Sequence, residues 1–266
     1  MCSARVTPVH HVAASGFATA GAAYERGRPD YPPPAVAALI ERLQIGPGAR
    51  VVDLGAGTGK LTRRLTASGA ALLAIEPVAA MRATFAQLLP AVPVLGGAAE
   101  AIPLRDASAQ AVVVGTAFHW FDGPAALAEL HRVLSPGGRL GLVWLARDES
   151  VDWVARLVRL VDGYKRGDPP RYAGGTWRRV FEAPPPGVRF TPLQAASFPF
   201  AHSAPRETAL QRVASTSFVG ALSEDERQEV LRRARDLLDR HPQTQGRQTI
   251  DLPYTADLYW CTRATA

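Results

Sequence analysis

The chain has 266 residues, of which 47% are hydrophobic and 20% charged, with a net charge of +6. That size and apolar content suit one large α/β domain and exclude global disorder. The basic residues are almost all Arg, Lys60 and Lys165 being the lysines, acids are interspersed among them and no run of five basic residues occurs, so the charge argues against nucleic acid as the partner.

Residues 1–33 read as an irregular arm rich in Gly, Pro and Tyr, and residues 1–11 lack the apolar stretch of a signal peptide. Pro32, Pro33 and Pro34 open a helix that runs to about Gln44, with Val36, Leu39, Ile40 and Leu43 at helical spacing. Gly46-Pro47-Gly48 ends it. Residues 50–54 form a short strand that carries Asp53, residues 55–59 a tight glycine turn, and residues 60–68 a helix. A strand over 71–75 leads to Glu76, and a helix covers 78–89. Strands follow over 92–95 and 111–115. A helix over 125–134 is stopped by Ser135-Pro136-Gly137-Gly138, and a fifth strand covers 139–145. Strands alternating with helices in this way predict a parallel sheet covered on both faces, with right-handed crossovers.

The second half breaks the alternation. Helices are expected over 151–164, 174–181, 206–214 and 223–240, the last opened by a capping box of Ser223 and Glu226. Strand patterns over 188–200 and 248–261 predict an antiparallel pair at the sheet edge. The expected fold is therefore Rossmann-like α/β: a doubly wound, mostly parallel seven-stranded sheet with an antiparallel edge strand and helical insertions in the C-terminal half. No apolar run reaches the roughly 18 residues of a membrane span. Cys2 and Cys261 have neither disulfide-framework nor metal spacing, which fits a cytoplasmic protein.

The chemistry is concentrated in Val51-Val52-Asp53-Leu54-Gly55-Ala56-Gly57-Thr58-Gly59. An acidic residue near a strand end precedes three alternating glycines and a helix. Glycine admits a ligand close to the backbone and accepts positive φ, and the helix start offers free N–H groups. A dinucleotide site wants G-x-G-x-x-G, but Lys60 stands where its third glycine belongs. A P-loop wants G-x-x-x-x-G-K-[ST], and Leu54 and Leu61 break that pattern. The pattern D-x-G-x-G-x-G matches throughout. Glu76, 23 residues after Asp53, suits the two hydroxyls of a ribose.

With this motif the sequence resembles the class I S-adenosylmethionine-dependent methyltransferases. Within them it is similar to the small-molecule branch of trans-aconitate and ubiquinone/menaquinone-biosynthesis enzymes. Four blocks carry the resemblance: Tyr24-Glu25-Arg26-Gly27-Arg28-Pro29-Asp30-Tyr31-Pro32, then 51–59, then Gly97-Ala98-Ala99-Glu100-Ala101-Ile102-Pro103-Leu104, then Ala117-Phe118-His119-Trp120-Phe121. The resemblance implies an arm or lid over 1–33, an S-adenosylmethionine-binding core over 34–146, and a C-terminal part over 147–266 that completes the sheet and caps the substrate, all in one domain. It places Gly55, Ala56, Gly57 and Gly59 along the methionine part of the cofactor. Asp53 would orient that loop and reach the cofactor amine through water, Glu76 would hold the ribose with Pro77 beside it, Ala99 and Glu100 would lie beside the adenine, and Thr116 and Ala117 would also contact the cofactor. Related enzymes carry Asp at the position of Ala98, so backbone groups or Glu100 must replace that contact. Tyr24 and Arg28 would close over the cofactor, Arg28 pairing its carboxylate.

Tyr31, His119 and Trp120 are expected in the acceptor pocket. His119 is read either as a general base for a hydroxyl or amine or as a residue that only shapes the pocket, since a carboxylate acceptor needs no base. Trp153, Tyr164, Tyr172, Trp177 and Phe218 are candidates for the pocket wall, with core the more frequent fate of such residues. No metal site is expected. The expected function is methyl transfer to a small molecule, with O-methylation of a carboxylate or hydroxyl favoured. A nucleic-acid methyltransferase is disfavoured because Thr116-Ala117-Phe118-His119 replaces the [DNS]-P-P-[YF] block, and Asp168-Pro169-Pro170 is followed by Arg171. A non-catalytic cofactor-binding module is the remaining alternative. The oligomeric state is not legible in the sequence.

Overall fold

A computed structural model describes residues 29–166, 172–214 and 216–265. Helix α1 (Pro33–Leu43) starts at a proline, whose missing N–H costs nothing in a first turn, and ends at Gln44 in the left-handed conformation. Strand β1 (Arg50–Leu54) enters the glycine turn, followed by α2 (Lys60–Leu65) and a 3-10 turn over Thr66–Ser68. Then come β2 (Ala71–Ile75), α3 (Ala79–Leu88), the two-residue β3 (Val94–Leu95), β4 (Ala109–Gly115), α4 (Gly123–Val133) and β5 (Leu134–Arg147).

Among the described residues, seven strands form one sheet in the order β3-β2-β1-β4-β5-β7-β6, where β6 is Gln194–Pro205 and β7 is Thr249–Thr262. Strands β1 to β5 are mutually parallel, and β7 runs antiparallel between β5 and β6. The antiparallel strand therefore lies one position in from the edge.

The period-2 alternation of strand side chains assigns the two faces. Val51, Val113 and Val143 point to one layer with Val36, Leu39 and Leu43 of α1 and Leu61 and Leu65 of α2. Val52, Val112, Val114, Leu142 and Trp144 point to the other with Ala126, Leu127, Leu130 and Val133 of α4. Each strand is apolar on both sides because each side is covered. Burying such a Val or Leu contributes about 1.5–3 kcal/mol.

A third cluster lies beyond the sheet proper. Residues 249–253 of β7 pair only with 201–205 of β6, past the end of β5. On this extension pack α5 (Asp152–Asp162), α7 (Arg206–Ala214) and α9 (Glu224–Arg240), through Trp153, Leu157, Leu210, Val230, Ala234, Leu238, Ile250 and Tyr254. Two short helices, α6 (Arg179–Glu182) and α8 (Ser217–Gly220), complete the order. Among the described residues no helix is long and apolar enough to cross a membrane.

Of the boundaries that differ from the sequence pattern, three bear on the fold. Ser135 to Gly138 do not separate α4 from β5. They lie inside β5, which starts at Leu134 opposite Ala109 with a register shift before Ala111 and Gly137 at φ 74°. Strand β6 starts at Gln194 rather than 188, because Val188 is buried in the α4-side core and Phe190 makes only an isolated bridge to Arg263. Strand β3 retains two of the four residues expected of it.

Candidate active site

The carboxyl ends of β1 and β4 surround a narrow cleft of about 50 Å³, lined by Tyr31, Asp53, Gly55, Ala56, Gly57, Lys60, Thr116, Arg212 and Tyr254 among others. Ligands of open α/β sheets sit at such strand ends. Gly55, Gly57 and Gly59 lie at φ 72°, 58° and 90°, the region that side chains other than glycine rarely adopt. Their environments differ. A Cβ on Gly59 would stand 2.6–2.8 Å from Leu89 and Phe85, whereas one on Gly57 would meet nothing within 4 Å among the described residues. Gly59 is required by packing, and Gly57 leaves its backbone open to a ligand.

The turn is held by the end of β2 and by Glu76. Backbone N–H groups of Gly55 and Ala56 donate to the Ile75 carbonyl at 2.8 and 3.2 Å. Glu76, 6% exposed, accepts from Gly57 N–H and from Val78 N–H, both at 2.9 Å, one on each carboxylate oxygen. A carboxylate has about four acceptor sites, so two remain for hydroxyl donors. Burial raises the Glu76 carboxyl above its ordinary range, against the two N–H groups that favour its ionised form. Arg82 donates to the carbonyls of Glu76 and Pro77, both at 2.8 Å, and so fixes the strand end.

Asp53 is buried beneath the turn. Its Oδ2 accepts from the Thr62 hydroxyl, while its Oδ1 has no hydrogen-bond partner among the described residues. Burial pushes this carboxyl up to about 7. A cleft-lining acid whose second oxygen is buried and unpaired among the described residues, beside a glycine turn, fits an amine-bearing ligand such as the methionine end of S-adenosylmethionine.

Thr116 closes the cleft at φ 56°, a strained conformation for a β-branched residue. Its N–H donates to the Val143 carbonyl at 2.7 Å, and its hydroxyl lies 3.4 Å from that of Tyr31. Ala117 packs against the turn: its Cβ would stand 3.0 Å from a Cβ on Gly55. Ala99 is buried, and Glu100 accepts from Asp122 N–H at 2.8 Å, tying residues 97–104 to the loop after β4.

His119 and Trp120 follow in a 3-10 turn over Phe118–Trp120. Their rings lie 5.1 Å apart, and His119 does not line the cleft itself. It turns to Trp144, whose indole N–H donates to His119 Nδ1 at 3.1 Å. Tyr24 and Arg28 lie outside the described residues. Of the aromatic wall candidates, Trp153 and Trp177 are core, and Tyr164 and Phe218 pack against the third cluster. Tyr172 is half-buried, donating to Asp257 and stacking on Trp144. Arg212 of α7 and Tyr254 of β7 also line the cleft. They arrive from the C-terminal part read as the substrate cap and from the last strand, though neither residue was singled out for the cleft by the sequence.

Residues 52–142 match the methyltransferase-domain family. An uncharacterised methyltransferase of Mycobacterium tuberculosis is 40% identical over 249 residues, 94% of this chain and 95% of that one. A malonyl-[acyl-carrier protein] O-methyltransferase of Methylococcus capsulatus is 36% identical over 44% of this chain and 45% of its own. A solved structure from Anaeromyxobacter dehalogenans assigned to the type II methyltransferases superposes with a TM-score of 0.67 at 23% identity, over 89% of this chain and 97% of that one. With the sheet order, the glycine turn and near-full-length relatives in agreement, the chain belongs to the class I S-adenosylmethionine-dependent methyltransferases.

Proposed function

We propose that the chain transfers a methyl group from S-adenosylmethionine to an oxygen of a small-molecule acceptor, a carboxylate or hydroxyl. The observation that carries this reading is a cleft at the strand ends that is lined by Asp53 and by a glycine turn in which a Cβ on Gly57 would meet nothing within 4 Å among the described residues. The partial likeness to a malonyl-carrier O-methyltransferase supports oxygen as the acceptor atom.

The cofactor supplies an activated methyl group on a sulfonium leaving group. Gly55, Ala56, Gly57 and Gly59 would hold its methionine end, with Asp53 as the acceptor for its ammonium group. Glu76 would take the ribose hydroxyls on its remaining lone pairs, with Pro77 beside it. Ala99 and Glu100 would flank the adenine, Glu100 keeping its hydrogen bond to Asp122. Tyr24 and Arg28 are assigned to closure over the methionine end by the resemblance alone. Thr116, Ala117 and Tyr31 would line the passage to the acceptor. What the chain contributes is orientation and exclusion of water.

The test is calorimetric titration with S-adenosylhomocysteine, with NAD in parallel, followed by assay of methyl transfer to small carboxylic acids and diols. Micromolar binding of the first ligand and none of NAD is the expected result. Binding of NAD alone overturns the proposal.

A further inference from the structure

Trp144 is 1% exposed and sits on β5, one strand over from the loop that carries His119. Tyr172 stacks on it at 4.8 Å and Trp177 packs on it at 4.4 Å, so its indole plane cannot swing. A buried indole N–H has no lone pair and needs an acceptor. Here that acceptor is Nδ1 of His119, at 3.1 Å. A neutral imidazole carries one N–H and one bare nitrogen, and an imidazolium carries two N–H groups. A proton on Nδ1 would set two donors against each other and leave the buried indole N–H unpaired.

From this geometry we infer that Trp144 is a positioning residue that holds His119 in the tautomer with bare Nδ1 and protonated Nε2. In that tautomer His119 has no bare Nε2 with which to take a proton. Of the two readings the sequence allows for His119, the general base is the one this hydrogen bond opposes. The role assigned to His119 in catalysis rests on the methyltransferase reading, but the tautomer does not.

The experiment is a long-range proton–nitrogen correlation spectrum of the histidine rings in the uniformly 15N-labelled full chain near neutral pH. The spectrum of His119→Gln identifies the His119 signals among the six histidines by their loss. The expected result is an unprotonated Nδ1 and a protonated Nε2 in the native chain. In Trp144→Phe, which keeps an aromatic ring but removes the N–H, that preference is expected to relax toward a mixture. A protonated Nδ1 in the native chain overturns the inference, and the native spectrum decides this even where Trp144→Phe fails to fold. Because no ligand is added, S-adenosylhomocysteine failing to bind would defeat the methyltransferase reading without touching this result.

Discussion

Asp53 and Gly59 show how much of the site is set by single residues. In the native state Asp53 keeps its proton up to about pH 7, whereas its ordinary value is 3.8. Between those values the folded chain binds more protons at this position than the unfolded one. Its contribution to stability is therefore fully present at low pH, is lost as pH rises through the window, and is flat above about 7. Asp53→Asn mimics the protonated form and removes the slope. Denaturant unfolding from pH 4 to pH 8 is expected to show the variant gaining on the native chain by up to about 1.4 kcal/mol per pH unit inside the window. A difference independent of pH would refute it. The glycines separate by the same kind of argument. Gly59→Ala forces a Cβ into Phe85 and Leu89 at φ 90° and is expected to cost roughly 1–3 kcal/mol of stability. Gly57→Val meets nothing within 4 Å among the described residues but is strained at φ 58°, so it is expected to cost roughly 1–3 kcal/mol of stability while circular dichroism keeps the native signature and S-adenosylhomocysteine affinity falls at least tenfold. The motif spacing identified these glycines as a set. It could not rank them, because rank depends on Phe85 and Leu89, which arrive from α3 and the loop that follows it.

At the scale of elements, legibility followed the number of independent local signals. The span Arg206–Ala214 agrees with the sequence reading, and α9 carries its capping box as expected: the Ser223 hydroxyl accepts Glu226 N–H and the Glu226 carboxylate accepts Ser223 N–H. Ser223→Ala removes one half of that exchange and is expected to cost about 1 kcal/mol. Thermal melting should fall by roughly 2–4 °C, and Ser223→Asp should restore most of it. An unchanged midpoint would mean that the first turn of α9 is held by its packing alone. Elements were misread where a local signal met a tertiary demand. Ser135-Pro136-Gly137-Gly138 has turn chemistry, yet it is drawn into β5 by pairing with β4. The alternation that begins at Val188 belongs to a segment that packs on the α4-side core before it reaches the edge of β7. The hydrogen bond from Trp144 to His119 was likewise invisible, since nothing in either residue's neighbourhood announces a partner 25 residues away.

The whole molecule joins three apolar clusters, one on each face of the sheet and one in the helical cap. The cleft lies where the cap meets the sheet: Gly55, Gly57 and Thr116 come from the sheet's loops, Arg212 from α7, and Tyr254 from the strand that belongs to both. A ligand in the cleft therefore touches the sheet and the cap in the folded state and neither in the unfolded one. By mass action S-adenosylhomocysteine at about 100 times its dissociation constant should add roughly 2.7 kcal/mol. Spread over a chain of this size, that corresponds to a rise in melting temperature of about 5–10 °C. NAD at the same concentration should leave the midpoint where it was. Because the cap contributes wall to the cleft, the rise should appear as one transition shifting as a whole. If the cap melted at its unliganded temperature while the sheet alone moved upward, Arg212 and Tyr254 would be bystanders to cofactor binding. The cleft would then have to be redrawn around the glycine turn, Glu76 and Thr116.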